Sequence, residues 1–196
     1  MNHVTDMYYT LNVNDFDKRT FNLTNKMQAL YDKFFNYLHS NLVLDVGCGT
    51  GRDSLYFQNH SLIVTSIDAN KAMIMKCIDN EVENPINVSI EQFESELRYG
   101  GIWACASLLH IRSEKLACIF DKLANMLNDG GVLYCSFKYG TFCGIRDGRY
   151  FTDMTECMFE ELIKDVQQLK IVEMFVSEDV RDNISQKWLN VFLRKR

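Results

Sequence analysis

The residues with the clearest chemical potential lie in one short segment, residues 45–51, which read DVGCGTG. Glycine at three alternate positions permits a tight turn that side chains would block, and it lets a ligand lie against bare backbone amides. Asp68 follows at the end of the next apolar run, where a carboxylate can accept hydrogen bonds from a ribose diol. A tight turn would explain the glycines alone, whereas the ordered combination with Asp45 and Asp68 favours a ribose-containing ligand.

The glycine spacing differs from that of dinucleotide-binding turns. Residues 47–51 follow a GxGxG pattern, whereas the dinucleotide fingerprint is GxGxxG. The dinucleotide turn aims a helix N-terminus at a pyrophosphate, and the turn in this chain need not do so. The pattern therefore indicates a nucleoside ligand without specifying a diphosphate.

The elements that position these residues alternate between strand and helix. Apolar runs predict strands at 42–46, 62–67, 86–90, 102–106, 132–137, 169–176 and 187–193, and helices at 26–39, 51–57, 70–79, 114–127 and 156–167. Strands separated by helices favour a mainly parallel sheet covered on both faces, with the last two strands as an antiparallel pair. The ligand is then expected at the carboxyl ends of the strands.

Length and composition favour a single domain. A chain of 196 residues with 47% hydrophobic residues, one proline and no linker is long enough for one buried core. We expect one domain over 1–196, with residues 1–40 as an N-terminal helical cap or lid and residues 41–196 as the core. No large insertion follows the fourth or fifth predicted strand, so we expect a substrate site to be built from the first 40 residues and residues 138–153.

Charge and sequence composition also limit the expected partners. A net charge of −5 disfavours nucleic acid, because the protein as a whole repels a phosphate backbone. No leader-like or membrane-spanning segment is recognisable, which predicts a cytoplasmic protein without a membrane partner. Seven cysteines without metal-type spacing are expected to be reduced thiols rather than metal ligands. A monomer and a homodimer are both compatible with the sequence.

Several motifs carry a family resemblance. They are LDVGCGTGRDSLYF at 44–57, WACASLLH at 103–110, GGVLYCSFKYG at 130–140, DGRYFTDMTE at 147–156 and WLN at 188–190. The first resembles class I S-adenosylmethionine-dependent methyltransferases, and the set resembles their small tellurite-resistance-type subgroup. The resemblance implies an α/β, Rossmann-like three-layer sandwich with a mainly parallel seven-stranded sheet and an antiparallel C-terminal strand. It also implies methyl transfer from S-adenosylmethionine, with S-adenosylhomocysteine as product, to a small-molecule or oxyanion acceptor.

Carried over by position, the resemblance implies a set of cofactor-binding residues. They are Asp45, Gly47, Cys48, Gly49, Arg52, Asp53, Asp68, Ala69, Gln92, Phe93, Ala106, Ser107 and Leu109. Arg52 would face the methionine carboxylate, and Asp68 and Ala69 would serve the ribose. Gln92 and Phe93 would flank the adenine, although Glu91 or Glu94 could take that place.

Four residues are candidates for catalytic roles beside the methyl acceptor: His110, Arg149, Arg146 and Tyr9. Tyr8 and Tyr9 could form an aromatic lid over a sulfonium, because a cation is attracted to an aromatic face; the alternative is a simple anchor for an N-terminal arm. His110 could instead cap a helix. Arg146 and Arg149 could draw in an anionic acceptor, or could form ion pairs in a solvated loop.

A different class of function remains open at this stage. The chain could be a non-catalytic S-adenosylmethionine-binding module that acts through a protein partner. Labelled cofactor distinguishes the two functions, because only an enzyme converts it to S-adenosylhomocysteine.

Overall fold

The computed structural model describes residues 2–196, which form a central sheet flanked by helices. The strands are β1 (Leu42–Val46), β2 (Ile63–Asp68), β3 (Ile86–Asn87), β4 (Tyr99–Ala104), β5 (Leu127–Lys138), β6 (Cys143–Arg146), β7 (Arg149–Thr152), β8 (Leu169–Glu178) and β9 (Lys187–Lys195). The helices are α1 (His3–Thr20), α2 (Thr24–Tyr37), α3 (Arg52–Asn59), α4 (Lys71–Asp79), α5 (Ser113–Met126) and α6 (Glu156–Lys164). Within the part of the chain that is described, no helix is both long and apolar enough to cross a membrane.

The central sheet has seven strands in the order β3-β2-β1-β4-β5-β9-β8. The first five strands are parallel to one another, and β9 is antiparallel to both of its neighbours, β5 and β8. The predicted α/β fold with a mainly parallel seven-stranded sheet is therefore confirmed. The strand order reverses between β1 and β4, and such a reversal opens a crevice at the carboxyl ends of the strands.

Two apolar layers hold the sheet between the helices. On one face, the fully buried Trp103 stacks on Tyr134 at 4.1 Å between ring centroids and packs against Phe34 of α2 and Phe57 of α3. On the other face, α5 and α6 meet where Phe120 lies edge-on to Phe159. Each such side chain contributes roughly 1.5–3 kcal/mol on burial, so these layers fix the helices that carry the site.

Strand β3 is shorter than the sequence predicts. A strand was expected over residues 86–90, but the paired segment ends at Asn87. The Ser89 carbonyl instead accepts hydrogen bonds from the backbone amides of Gln92 and Phe93, at 3.0 and 2.8 Å. These bonds close a turn. The strand ends before it, because a carbonyl that bonds within the turn is not available to a neighbouring strand.

A small hairpin after β5 was not predicted. Strands β6 and β7 pair antiparallel, with Arg146 opposite Arg149. Asp147 and Gly148 form the two-residue tip with φ values of +51° and +72°. An Asp-Gly pair favours this type I′ turn, so the dipeptide was a signal for the hairpin. The expected charged loop at 146–149 is therefore the tip of an ordered hairpin.

Helix α1 lies across the carboxyl edge of the sheet. The Asn70 side chain donates hydrogen bonds to the Asp6 backbone and carboxylate oxygens and to the Thr10 hydroxyl, at 2.8–3.0 Å. The Thr5 hydroxyl accepts a hydrogen bond of 2.9 Å from the backbone amide of Tyr150. The helix is thus fastened to α4 on one side and to the hairpin on the other.

Candidate functional site

A cavity of about 320 Å³ lies between the carboxyl edge of the sheet and helix α1. It is lined by most of the residues that the sequence singles out: Tyr9, Gly47, Cys48, Gly49, Arg52, Asp53, Asp68, Ala69, Ala106, Ser107, Leu109, His110 and Arg149. Five predicted site residues do not line it: Tyr8, Asp45, Gln92, Phe93 and Arg146. The roles of all these residues remain predictions, and the geometry below describes where each one lies.

The glycine turn approaches the segment after β4 closely. Gly47 has a φ of +73°, and a Cβ at this position would lie 2.4 Å from the Cβ of Ser107. The Ile67 carbonyl holds the turn by accepting hydrogen bonds from the amides of Gly47 and Cys48, at 2.8 and 3.0 Å. The turn needs glycine at position 47 for two reasons, its left-handed backbone and its lack of space.

Asp68 connects the glycine turn to the start of α4. One carboxylate oxygen accepts a hydrogen bond from the amide of Gly49 at 3.0 Å, and the other accepts one from the amide of Asn70 at 2.7 Å. Burial disfavours the charged form and raises the pKa of Asp68 to about 6. An ionised carboxylate has about four acceptor positions, so this one keeps acceptor capacity towards the cavity.

Asp45 lies behind the turn rather than in the cavity. Its carboxylate accepts a 2.6 Å hydrogen bond from Ser54, whose hydroxyl in turn accepts one of 2.7 Å from Ser66. Burial, together with the nearby charge of Asp53, raises the pKa of Asp45 to about 8. The structure therefore places Asp45 as an anchor between β1, β2 and α3.

Arg52 and Asp53 form a buried ion pair at the cavity wall. The Arg52 guanidinium donates two hydrogen bonds to the Asp53 carboxylate at 2.7 and 2.9 Å. Tyr31 and Trp103 donate to the same carboxylate at 2.5 and 2.8 Å. Burial alone would raise the pKa of Asp53, but the charge and hydrogen bonds of Arg52 lower it below its usual value. Arg52 retains further N–H groups that can reach a ligand.

The residues after β3 differ from the expectation for an adenine pocket. Gln92 is exposed, and Phe93 is buried in the apolar core. Ser89, Ile90 and Glu91 line the cavity in their place. Of the two acidic alternatives, only Glu91 lies there, since Glu94 is exposed and pairs with Lys122 at 2.9 Å.

Tyr9 and His110 meet inside the cavity although 101 positions separate them. The Tyr9 hydroxyl lies 2.8 Å from Nε2 of His110, and Nδ1 of His110 lies 2.7 Å from the carbonyl oxygen of Tyr150. A carbonyl can only accept, so Nδ1 carries the hydrogen and Nε2 accepts the Tyr9 proton. Burial lowers the pKa of His110 to about 4, which keeps the ring neutral at neutral pH.

This low pKa predicts a pH-dependent stability difference between the wild type and His110→Gln. Because the folded protein resists protonation of His110, the unfolded state binds more protons between the ordinary pKa of 6.5 and about 4. The contribution of neutral His110 to the free energy of unfolding is therefore fully present above pH 6.5. It falls by roughly 3 kcal/mol as the pH drops towards 4. Urea unfolding of both proteins at several pH values measures this.

The comparison between the two proteins is necessary because Asp68 titrates in the same range with the opposite sign. Its raised pKa is common to both proteins and cancels in the difference. A wild-type stability that follows the variant in parallel from pH 7 to pH 4.5 would contradict a buried, neutral His110.

Three cations surround the ring of Phe151. Lys138 Nζ lies 4.2 Å from the ring centroid, and the guanidinium carbons of Arg146 and Arg149 lie 4.9 and 5.1 Å from it. Arg146 also donates to both carboxylate oxygens of Asp153 at 3.1 Å. Arg146 thus forms the local ion pair, whereas Arg149 lines the cavity, and the recruitment of an anionic acceptor stays a prediction.

Tyr8 supports Arg149 from outside the cavity. The guanidinium carbon of Arg149 lies 4.3 Å from the Tyr8 ring centroid and 5.9 Å from that of Tyr9. A guanidinium stacks favourably on such rings. The two neighbouring tyrosines therefore have different positions, with Tyr9 in the cavity and Tyr8 behind the arginine.

Part of the cavity wall was missed by sequence reasoning. It comes from α1, α2 and the end of the sheet that carries β8 and β9, and includes Phe16, Arg19, Leu23, Met27, Leu30, Ser177, Asp179, Val180, Arg181, Trp188 and Asn190. Asp179 orders the last part, because it accepts hydrogen bonds from Arg181 at 2.6 Å and from the Trp188 indole at 3.0 Å. The polar composition of residues 177–186 gives no sequence signal for a cavity wall.

The site lacks the features of a metal centre in the range 2–196. No group of three or more His, Cys, Asp or Glu side chains there could hold a metal ion. The cavity offers backbone amides, the carboxylates of Asp53 and Asp68, the Tyr9–His110 pair and the cations near Phe151.

Comparison with known proteins gives the family of the central segment. Residues 43–131 match a family model described as a methyltransferase domain. No curated protein matches the chain in sequence.

Solved structures share the fold at low identity. A Burkholderia thailandensis 1,6-didemethyltoxoflavin-N1-methyltransferase, crystallised with S-adenosylhomocysteine, superposes with a TM-score of 0.79 and 17% identity over 98% of this chain and 87% of that chain. TehB from Haemophilus influenzae gives 0.67 and 20% over 88% and 62%. Magnesium protoporphyrin IX methyltransferase from Synechocystis, with bound S-adenosylmethionine, gives 0.63 and 16% over 100% and 85%. Residues 43–131 are therefore similar to a methyltransferase domain, and the chain has the fold of these S-adenosylmethionine-dependent methyltransferases.

Proposed function

We propose that this protein transfers a methyl group from S-adenosylmethionine to a small-molecule acceptor. The observation that carries the proposal is one cavity that joins the glycine turn and Asp68 to the Tyr9–His110 pair. Its volume of about 320 Å³ falls within the range of small-molecule sites. One end thus offers nucleoside-binding chemistry, and the other offers groups that can act on an acceptor.

The residues at the first end fit the cofactor. The hydroxyl of Ser107 is buried without a hydrogen-bond partner, and it lines the cavity beside Gly47. Asp68 keeps acceptor capacity for a ribose, Arg52 keeps donors for a carboxylate, and Gly49 leaves backbone open to the ligand. When bound, S-adenosylmethionine supplies an electrophilic methyl group, and its sulfur keeps the electron pair of the broken bond.

The chain itself contributes mainly alignment and exclusion of water. Direct transfer needs no covalent intermediate on the protein, so a nucleophilic side chain is not required. Correct alignment of the reacting groups lowers a barrier by up to roughly 7–11 kcal/mol. Helix α1 covers the cavity with Tyr9 and Phe16, and we propose that the segment 1–40 acts as its lid.

The Tyr9–His110 pair favours a hydroxyl acceptor. The buried Tyr9 stays neutral because burial raises its pKa, and it can take the acceptor proton while passing its own proton to Nε2 of His110. His110 is a weak base with a pKa of about 4. Methylation of a hydroxyl first gives a protonated ether, which is a very strong acid, so a weak base can remove its proton. Methylation of an amine gives an ammonium ion, which is too weak an acid for such a base. The oxygen thus gains the methyl group and His110 gains the proton.

A second acceptor class follows from the sequence motifs. The resemblance to the tellurite-resistance-type subgroup stays a prediction, because 20% identity to TehB shows the fold alone. A soft acceptor such as tellurium or sulfur needs little help from a base. Dependence of the rate on His110 therefore distinguishes a hydroxyl acceptor from a soft one.

The proposal is tested with labelled S-adenosylmethionine and a panel of small hydroxyl, amine and thiol compounds together with tellurite. We expect S-adenosylhomocysteine and one methylated product to form at equal rates. A protein that binds the cofactor and returns it unchanged with every acceptor would be a binding module instead.

Asp68→Asn should weaken S-adenosylhomocysteine binding by roughly 10–100-fold, because a charge-assisted hydrogen bond contributes about 1.5–3 kcal/mol. Isothermal titration calorimetry measures the affinity, and thermal unfolding checks that the turn persists. Glu94→Gln is the control, since Glu94 is an exposed acid outside the cavity. Equal affinity in the wild type, Asp68→Asn and Glu94→Gln would show that Asp68 does not bind the ribose.

A further inference from the structure

Two cations at the acceptor end of the cavity have no counterion. Lys138 ends β5, Arg149 begins β7, and both line the cavity beside the ring of Phe151. Neither side chain forms an ion pair with an acid anywhere in residues 2–196. They therefore leave about two positive charges at one wall of a partly buried space.

The acids in this region are already engaged. The charge of Asp153 acts on Lys138, but both its carboxylate oxygens accept hydrogen bonds from Arg146. Asp179 is bound by Arg181 and Trp188. Glu178 also lines the cavity, and its carboxylate lies 3.7 Å from Lys187. Asp68 and the Arg52–Asp53 pair belong to the cofactor end.

Both cations are held in place without being neutralised. Arg149 is stacked on Tyr8, and its Nε is buried without a hydrogen-bond partner. Burial, followed by the charges of Arg146 and Arg149, lowers the pKa of Lys138. An unpaired buried donor and repelling charges are destabilising, and such features are retained at sites where a ligand compensates them.

Apolar side chains also line the cavity. Leu23, Met27, Phe151 and Trp188 line the same cavity. We propose that Lys138 and Arg149 bind the carboxylate of an organic acceptor whose apolar or aromatic body packs on these side chains. The acceptor class is thus a hydroxyl-bearing organic acid. This inference rests on the proposed methyl transfer, which supplies the reason for an acceptor site here.

The test uses the protein saturated with S-adenosylhomocysteine and three probes: benzoate, its neutral counterpart benzamide, and inorganic phosphate, all at matched ionic strength. Calorimetry should show benzoate binding at least about 10-fold more tightly than benzamide or phosphate, because charged hydrogen bonds and apolar contacts act together. Lys138→Met and Arg149→Met should each weaken benzoate binding by about 10-fold or more. Lys164→Met, at an exposed cation outside the cavity, should bind benzoate as the wild type does.

Each other outcome overturns the inference. Equal affinities for benzoate and benzamide would show that the site does not require a negative charge. Equal affinities for phosphate and benzoate would show that the site binds a free oxyanion rather than an organic acid. Unchanged benzoate affinity in both cavity variants would place the anion elsewhere. Loss of S-adenosylhomocysteine binding by the wild type would be a failure of the proposed function itself, and the initial cofactor titration detects it separately.

Discussion

His110→Gln should lower the rate of methyl transfer to a hydroxyl acceptor by roughly 10²–10⁴-fold, the usual contribution of a positioned general base. Glutamine can form hydrogen bonds at this position, but it cannot take up a proton. We expect S-adenosylhomocysteine affinity to change little, because His110 contacts Tyr9 and the hairpin backbone rather than the glycine turn or Asp68. Steady-state kinetics with an acceptor that the wild type methylates, together with calorimetry, separates these two effects.

Tyr9→Phe provides the matched test of the relay. It keeps the ring that packs edge-on against Phe16 and His110 but removes the hydroxyl that lies 2.8 Å from Nε2. The rate should fall by a similar factor, and the double variant should be no slower than either single variant if the pair acts as one unit. His60→Gln, at an exposed ring just after the end of α3, is the control. A wild-type rate in His110→Gln would favour a soft acceptor that needs no base.

Gly47→Ala should abolish measurable cofactor binding. The new Cβ would lie 2.4 Å from the Cβ of Ser107, a distance that requires the turn or the segment after β4 to move. The left-handed backbone at this position adds about 1–2 kcal/mol for a residue with a Cβ. Because the amides of residues 47 and 48 are held by Ile67, the displacement alters the whole turn. Titration with S-adenosylhomocysteine and thermal unfolding measure the result.

A second substitution makes this prediction specific to the contact. Ser107→Gly removes the atom that the new Cβ would meet, and the Cα of Ser107 lies at an ordinary 3.7 Å. The double variant Gly47→Ala, Ser107→Gly should therefore recover part of the affinity, even though Ser107→Gly alone weakens binding modestly. If the double variant binds no better than Gly47→Ala, backbone strain rather than the clash controls the turn.

The local parts of the site could be predicted from the sequence. Gly47, Gly49 and Asp68 were identified because a left-handed turn needs glycine and because a buried strand ends at a defined residue. These requirements act over a few residues, so residue type and spacing are enough to reveal them. The alternation of strands and helices determined the mainly parallel sheet in the same way, since parallel strands need crossovers.

Other details depended on packing between distant segments. The sequence did not reveal that Tyr9 faces the cavity while Tyr8 supports Arg149, because adjacent residues on α1 differ only in the neighbours that they meet. It also did not reveal that the turn after Asn87 directs Phe93 into the core and leaves Gln92 exposed. Solvent exposure of a side chain depends on contacts that no local pattern contains.

The sequence by itself thus determined the fold, the glycine turn that borders the cavity and the acid at the end of the next strand. The tertiary structure alone decided which side chains share the acceptor end, because Tyr9, His110, Lys138 and Arg149 come from four separate segments. It also decided that Arg146 pairs with Asp153, seven residues away, whereas Arg149 forms no ion pair with any acid in residues 2–196. Backbone preferences are short-range and are readable from residue types, whereas the pairing of charges depends on how the segments pack together.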